Sequence, residues 1–454
     1  MAVQFKKTKK LIEEDKHQNK INDRMLTCFA KTERREDTVS ENAAMDETSG
    51  DDLFDVIIIG AGIMGSCAAY EAAKLGKKVL LLEQFDLLHH LGSSHGESRT
   101  IRATYSAPHY PPMVIESSRL WEEAQTEAGY RVLTKTTHFD IGPADNPSLQ
   151  SIIHNCSTNS LALKVFDTDS QLAEQFSDAF RLPVGWLSVS TSLGGVIKPT
   201  KAVSMFQSLA IRHGATVRDR TEVAEIKRDG IDIIRVSTAD GRQFRGIKCV
   251  LTVGAWSRKL IKSITGLELP IQPLHALVWY WKIKDGFEAS MSAAGGFPTF
   301  AYFGEPQLYG TPSMEFPGLI KISLVSGWPC DPDRRDWTIG GGDESEVMRQ
   351  AADNIELVMP GRIETARGPV MTQACMYSMT PDEDYVIDFL GGEFGKDVVV
   401  AGGFSGHGFK MGPVVGRILS EMAIHGEAET AVRIGVDMKV FGMGRFEKNP
   451  KGNI

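Results

Sequence analysis

No stretch of this chain is apolar for long enough to cross a bilayer. The longest run, VIIIGAGIMG at residues 56–65, is broken by glycines, whereas a membrane helix needs about 20 apolar residues. The N-terminus lacks the apolar centre of a signal peptide, so none is expected. No block of lysine and arginine dominates a fold-forming segment, and the net charge is -8. Nucleic acid is therefore not an expected partner. Cysteine is sparse and scattered: positions 28, 67, 156, 249, 330 and 375 make no CxxC pair and no Cys/His cluster with zinc spacing. No metal site is expected, and the thiols read as free.

What the chain does have is material for a large core. With 42% hydrophobic and 24% charged residues in 454, the composition is that of a globular protein of two or more domains. Residues 1–52 stand apart. They are polar, mix acids with bases, and hold too little apolar area to offset ordering entropy, so a disordered extension is expected there. Its acids also argue against a transit peptide. From Phe54 the pattern changes. FDVIII reads as a buried strand, GAGIMG as a turn, SCAAYEAAKLGK as a helix and KVLLLE as a second strand. GGVIKPTKAVSMFQSLAIRHG gives another strand and helix, and KCVLTVGAW a strand running into a small-residue turn. DVVVAGGFSGHG and PVVGRILSEMAI then supply strand, glycine turn and helix again. These units at both ends predict an α/β fold. Its Rossmann-type nucleotide domain is assembled from discontinuous segments, and the chain between them forms an inserted domain.

Gly60, Gly62 and Gly65 make a GxGxxG motif, weak by itself. Here it follows a strand, opens a helix and is answered by Glu83, eighteen residues beyond Gly65 at the end of the next strand. In that context it is a dinucleotide fingerprint. Gly60 permits the tight turn, Gly62 a close backbone approach to the pyrophosphate, and Gly65 close packing of helix on strand. The helix N-terminus offers free N–H groups to phosphate, and Glu83 can accept hydrogen bonds from ribose hydroxyls. The motif serves NAD and FAD alike.

Three longer motifs separate them: HLGSSHGESRTIRATY (90–105), ACMYSMTPDEDYVID (374–388) and GFSGHGFKMG (403–412). Together they resemble the monomeric sarcosine oxidase and pipecolate oxidase family, its plant members most of all, within the D-amino-acid-oxidase-like flavoproteins. The resemblance runs from about residue 54 onward. It implies an FAD-binding domain from 53–133, 195–264 and 373–430, and an α+β substrate domain with a mixed antiparallel sheet from 134–194 and 265–372. A tail would follow at 431–454. In that family the cysteine of the CMY motif carries the flavin, which implies FAD held as an 8α-S-cysteinyl thioether at Cys375. A thiolate adding to an oxidised flavin quinone methide would form that bond. Without the motif, a lone cysteine reads as a core thiol.

Other positions carry over singly. Ser94, His95 and Arg99 would meet the cofactor, Arg99 lying against the flavin ring, and Arg102 would bind the substrate carboxylate through its planar fork. The spacing of the two arginines equally fits one face of a helical turn, a solvated salt-bridge face. Lys410 would be the second carboxylate contact and would also border the cofactor; its plain reading is a surface lysine early in the last helix. Gly406, His407 and Gly408 would bring backbone to the ring. The backbone of Val223 would meet the adenine, and Gly254, Ala255 and Trp256 a further part of the cofactor, although Trp256 alone reads equally as core. Lys321 resembles the lysine that activates oxygen by stabilising developing negative charge in a dry site; on pattern alone it is a solvent-facing strand lysine. Tyr309 would line the substrate pocket.

The implied enzyme is a monomeric amino-acid oxidase. It oxidises the C–N bond of a small secondary α-amino acid of the sarcosine or L-pipecolate type to an imine, and passes the electrons to O2 as hydrogen peroxide. One departure stands out. Relatives carry a Tyr-His or Val-His pair where this chain has Leu324 and Val325, which suggests a more apolar pocket and a cyclic or bulkier substrate. The alternatives are a same-fold dehydrogenase with a non-oxygen acceptor and a flavin-binding paralogue without catalysis. The family resemblance implies a peroxisomal location, although NPKGNI carries no SKL-type tripeptide and leaves the cytoplasm as the other expectation.

Overall fold

The computed structural model describes residues 52–176, 178–334 and 344–453. The extension expected to be disordered lies, except for Asp52, outside the described residues. Asp52 begins a unit that holds two sheets.

The first sheet has eight strands. They are β1 (Leu53–Ile59), β2 (Val79–Leu82), β7 (Thr216–Arg218), β8 (Val223–Arg228), β9 (Ile234–Thr238), β10 (Gln243–Leu251), β17 (Val386–Phe389) and β18 (Val398–Gly402). The order is β17-β18-β10-β1-β2-β7, with β9 and then β8 added beside β10. β1, β2 and β18 are near-continuous apolar runs, as is the end of β10 (Cys249–Leu251), and these four strands run parallel. Such runs suit strands covered on both faces. On one face lie α1 (Ile63–Lys74), α2 (Tyr110–Ala128), α3 (Pro199–Arg212) and α4 (Gly412–His425). α1 and α4 cross closely because Gly412 and Gly416 have no side chain. A Cβ on Gly416 would lie 2.4 Å from Cys67 Cβ, and one on Gly412 would lie 2.6 Å from Ile63 Cγ1.

The second sheet has ten strands. They are β3 (Arg99–Arg102), β4 (Leu133–Pro143), β5 (Leu163–Phe166), β6 (Trp186–Ile197), β11 (Gln272–Lys282), β12 (Thr299–Tyr302), β13 (Leu308–Thr311), β14 (Leu319–Leu324), β15 (Trp328–Pro329) and β16 (Met371–Met379). The order is β15-β11-β14-β13-β12-β4-β6-β3, with β16 on β11 and β5 on β6. β3 and β16 thus carry Arg99, Arg102 and Cys375 into this sheet. Its back face packs an aromatic core of Phe139, Trp279, Trp281, Phe300, Ile320 and Ile322.

Strand alternation then dictates what stands on the front. Cys375 pairs with Ala276 and Tyr280 with Lys321; Ser323 pairs with Tyr309, Tyr309 with Ala301, Ala301 with Asp140, and Thr299 with His138. Cys375, Tyr377, Lys321, Tyr309, Thr299, His138 and Asp140 therefore share one face. The same alternation corrects the reading of Leu324. It points back into the aromatic core and is buried, while Val325, beyond the strand, is 54% exposed. The expected apolar lining by this pair is not there.

Candidate functional site

The glycine turn between β1 and α1 is built as its spacing requires. Gly60 has φ +97°, and a Cβ on it would lie 2.6 Å from Thr252 O. A Cβ on Gly65 would lie 1.9 Å from Gly60 O, so only glycine lets α1 sit on the turn. One on Gly62 would lie 3.0 Å from Ser94 Oγ. The first turn of α1 carries no acid, so its N–H groups present positive potential. Ser94 Oγ accepts from Ile63 N at 3.1 Å. Glu83 is buried at the end of β2, where it accepts from Ala61 N at 2.9 Å and Phe85 N at 3.1 Å and pins the turn in place.

A cavity of about 440 Å³ borders this turn, within the range of small-molecule sites. Its lining runs from Glu83, Val223, Gly254 and Trp256, past Gly60, Gly62 and Ser94, to Arg99, Cys375, Tyr377, Gly406 and Phe409. Trp256 is not core. It is half-buried, sits edge-on to Phe85 with centroids 5.4 Å apart, and donates to Asp333 Oδ1 at 2.6 Å. His95, His407 and Lys410 do not line the cavity; His95 contributes its carbonyl, which accepts from Arg99 Nη2 at 2.8 Å.

The arginines lie on strand β3, which removes the helical-turn reading. β3 is held extended by its antiparallel pairing to β6, and residues three apart on a strand point opposite ways. Arg99 turns to Cys375, its Nη2 3.3 Å from Sγ, and is fixed by the carbonyls of Ser93, His95 and Ser98. Arg102 turns to Tyr105, its guanidinium 4.5 Å from the ring centroid.

Lys321 is not solvent-facing; it is 3% exposed. Its Nζ donates to Ser98 O at 3.1 Å and lies 5.2 Å from the Tyr309 ring centroid. Burial foremost, then the Arg99 charge, pulls its ammonium down to about 7, opposed by Cys375 and Glu315. Lys410 is likewise no surface lysine. It lies on a single turn, Phe409–Met411, that leads into α4. It is 5% exposed, and Nζ meets Tyr105 OH at 2.9 Å and His407 O at 2.8 Å. Burial, then Arg102, holds its ammonium well below the lysine range. Arg102 and Lys410 are thus brought together across Tyr105.

Sequence reading missed several members of this site. Tyr105 ends the HLGSSHGESRTIRATY motif, yet only its contacts reveal its position between two cations. Tyr385 OH meets His407 Nδ1 at 2.8 Å. His138 and Asp140 are fully buried, 3.1 Å apart, and His138 Nδ1 meets Thr299 Oγ1 at 2.9 Å. A signal was present: HFDIG alternates polar and apolar residues in a strand whose two faces are both buried.

The bare glycine turn, a ribose-ready carboxylate and a long cavity ending at a cysteine and an arginine fit FAD along its whole length. They define an FAD-binding oxidoreductase. The chain belongs to the FAD dependent oxidoreductase family DAO, whose family model matches residues 55–422. It is 56% identical over 409 residues to the probable sarcosine oxidase of Arabidopsis thaliana, covering 90% of this chain and 96% of that protein. It is 34% identical over 410 residues to the peroxisomal sarcosine oxidase of Homo sapiens, covering 89% and 99%. The fold is shared with NikD, an unusual amino acid oxidase essential for nikkomycin biosynthesis. The TM-score is 0.71 at 20% identity, covering 86% of this chain and 97% of that one. Among the described residues no group of acidic, histidine or cysteine side chains could hold a metal, and no helix is long and apolar enough to cross a membrane.

Proposed function

We propose that this protein is an oxidase of secondary α-amino acids. The observation that carries this reading is the arrangement of three basic side chains, Lys321 and Lys410 buried and Arg102 half-buried. Arg102 and Lys410 flank Tyr105, and Lys321 stands on the sheet face that holds Cys375. When bound, FAD supplies the two-electron acceptor, and Gly60, Gly62, Ser94, Glu83, Val223, Gly254 and Trp256 would hold its nucleotide part. Arg99 and Cys375 would border its ring, with Cys375 the covalent anchor. Arg102 and Lys410 take the substrate carboxylate, which fixes the position of the amine and its neighbouring C–H. Lys410 is buried and Arg102 half-buried, so both contacts act at a lower dielectric than water. Tyr309, on the same face, borders the substrate. Lys321, held by Ser98, stabilises the negative charge that develops as O2 is reduced. The imine leaves and hydrolyses in water.

The substrate is of the sarcosine or L-pipecolate class. With Leu324 turned away, Ser323, Thr299, His138 and Asp140 are polar features of the face that holds Tyr309. The human relative's name places that protein in the peroxisome; a peroxide producer suits that compartment here too, and co-fractionation with catalase checks it.

The test is anaerobic mixing of the yellow protein with sarcosine, L-pipecolate and L-proline, followed by oxygen. Bleaching by at least one, with peroxide released on reoxidation, is expected. No bleaching by any secondary amino acid rejects the reading. Reoxidation by a quinone but not by oxygen makes the protein a dehydrogenase.

A further inference from the structure

The cation pair poses a charge problem. Among the described residues, neither Arg102 nor Lys410 has a carboxylate at ion-pair distance. Arg102 Nη1 meets Thr104 Oγ1 at 3.4 Å and Lys410 Nζ meets a phenol and a carbonyl. Lys410 is buried and Arg102 half-buried, and a buried charge with no anionic partner beside a second cation is costly. The elements packed on the Phe409–Met411 turn do not relieve it. β3 adds only Arg99, which is turned to Cys375. α2 offers Ser117 and Trp121 to the Lys410 carbonyl, while its Glu116 is paired with Arg119 and Arg433. Arg417 of α4 is paired with Glu71, and its Glu421 with Thr430. From the neighbouring strand β4, Asp140 faces His138, and Asp384 is bonded to His109, Tyr110 and Asn453.

A buried lysine beside an arginine, with only a phenol and a carbonyl as partners, relieves that cost by giving up its proton, and the hydrogen bonds around it accommodate a neutral amine. His407 Nε2 lies 3.0 Å from Glu383 O, a pure acceptor, so Nε2 carries the hydrogen and Nδ1 the lone pair. Burial, the foremost cause, holds this imidazole well below its usual range, so it is neutral. Two phenols compete for the one lone pair. Tyr385 OH is 2.8 Å away, and Tyr105 OH is 3.2 Å away. Tyr385 OH has a second acceptor in His407 O at 3.3 Å, so either phenol can fill the lone pair. Tyr105 OH also neighbours Lys410 Nζ at 2.9 Å and is hydrogen-bonded to the Tyr385 hydroxyl. An ammonium there can only donate, and the Tyr105 proton then turns to the Tyr385 oxygen or to His407 Nδ1. An amine accepts it, and still donates to His407 O.

We infer that Lys410 rests as a neutral amine and takes up the proton that the substrate's ammonium loses on binding. This inference rests on the reading of Arg102 and Lys410 as the carboxylate site. The balance is closed: the secondary ammonium becomes a free amine with its lone pair available for oxidation, Lys410 becomes an ammonium, and the arriving carboxylate compensates the new charge. No solvent proton is exchanged. Carboxylate binding and amine activation thereby become one event, and Lys410 acts as a general base on nitrogen rather than only as a clamp.

The experiment is calorimetric binding to the flavin-loaded enzyme at pH 7.5, repeated in buffers of different ionisation enthalpy. The probe is tetrahydropyran-2-carboxylate, which has the ring and carboxylate of pipecolate with oxygen in place of the amine. Its binding is expected to take up about one proton per ligand, because it brings none of its own. L-Pipecolate, bound anaerobically to enzyme whose flavin is already reduced, is expected to exchange none. Lys410→Arg, permanently charged, is expected to bind the probe with no uptake. Tight probe binding with no uptake by the native enzyme overturns the inference and leaves the carboxylate site standing. Uptake that persists in Lys410→Arg also overturns it, since the proton then goes elsewhere. No probe binding at all overturns the carboxylate site and the inference with it.

Discussion

At the scale of single residues, Cys375 and Lys321 decide what kind of flavoprotein this is. Cys375 is buried with its sulfur against Arg99, so a guanidinium stands ready to pair with the thiolate that a covalent attachment needs. Acid precipitation of the native protein should leave the yellow in the pellet, on the peptide that contains Cys375. Cys375→Ala should release it to the supernatant while still folding. Colour that stays in the pellet of Cys375→Ala would move the attachment to another residue. In the proposed oxidase Lys321 carries the oxygen step. Lys321→Met should slow reoxidation by about 10²–10³-fold, with flavin reduction changed less than tenfold, as read in separate stopped-flow half-reactions. The pH dependence follows from burial. The folded state holds this ammonium at about 7, against 10.5 for an ordinary lysine in water. Below about 7 the lysine is charged in both states and its dry charge costs stability in full. As pH rises to 10.5 the folded chain has already lost its proton, so stability gains with pH across that window. Oxygen reactivity runs the other way, falling as pH rises through about 7. Lys321→Met should flatten both profiles, and an unchanged reoxidation profile would remove the lysine from the step.

At the scale of elements, the nucleotide half of the site could be read directly from the sequence, and the catalytic half could not. Gly60, Gly62, Gly65 and Glu83 lie on one strand, one turn, one helix and the next strand, so local spacing specifies their geometry. Arg99 and Arg102 show the limit. Their spacing fits a helical turn, and only the pairing of β3 to β6 reveals that they face apart, one to Cys375 and one to Tyr105. Lys321 reads as exposed because its strand alternates; that both faces of β14 are covered is a tertiary fact. The close crossing of α1 and α4 gives a prediction at this scale. Gly416→Val forces a side chain into the space of Cys67, where overpacking typically costs about 1–3 kcal/mol. Denaturant titration should show that loss, with FAD content reduced because α1 carries the phosphate-binding N-terminus. Stability within about 0.5 kcal/mol of the native protein, the range of a neutral surface change, would mean that the helices can move apart freely.

At the scale of the whole molecule, the site depends on chain far from it in sequence. Asp384 is held by His109 and Tyr110 from the start of α2 and by Asn453 near the end of the chain. The next residue, Tyr385, reaches His407 and so the Lys410 network. The strap that keeps this corner together is Arg445, whose guanidinium meets Asp382 at 2.7 Å and Asp384 O at 3.1 Å; the Arg445 and Asp382 side chains are 6% and 0% exposed. No local pattern announces a pair 63 residues apart, which is why sequence reading left 431–454 as a mere tail. Arg445→Ala leaves the Asp382 carboxylate buried and unpaired, a change that typically costs about 3–5 kcal/mol. Replacing both partners, Asp382→Asn with Arg445→Ala, removes the stranded charge and should recover part of that loss. A strap that also positions the site should weaken carboxylate binding in Arg445→Ala at temperatures where the variant is still folded. A double variant as destabilised as the single one would show that packing of the last segment, rather than the buried charge pair, holds the corner in place.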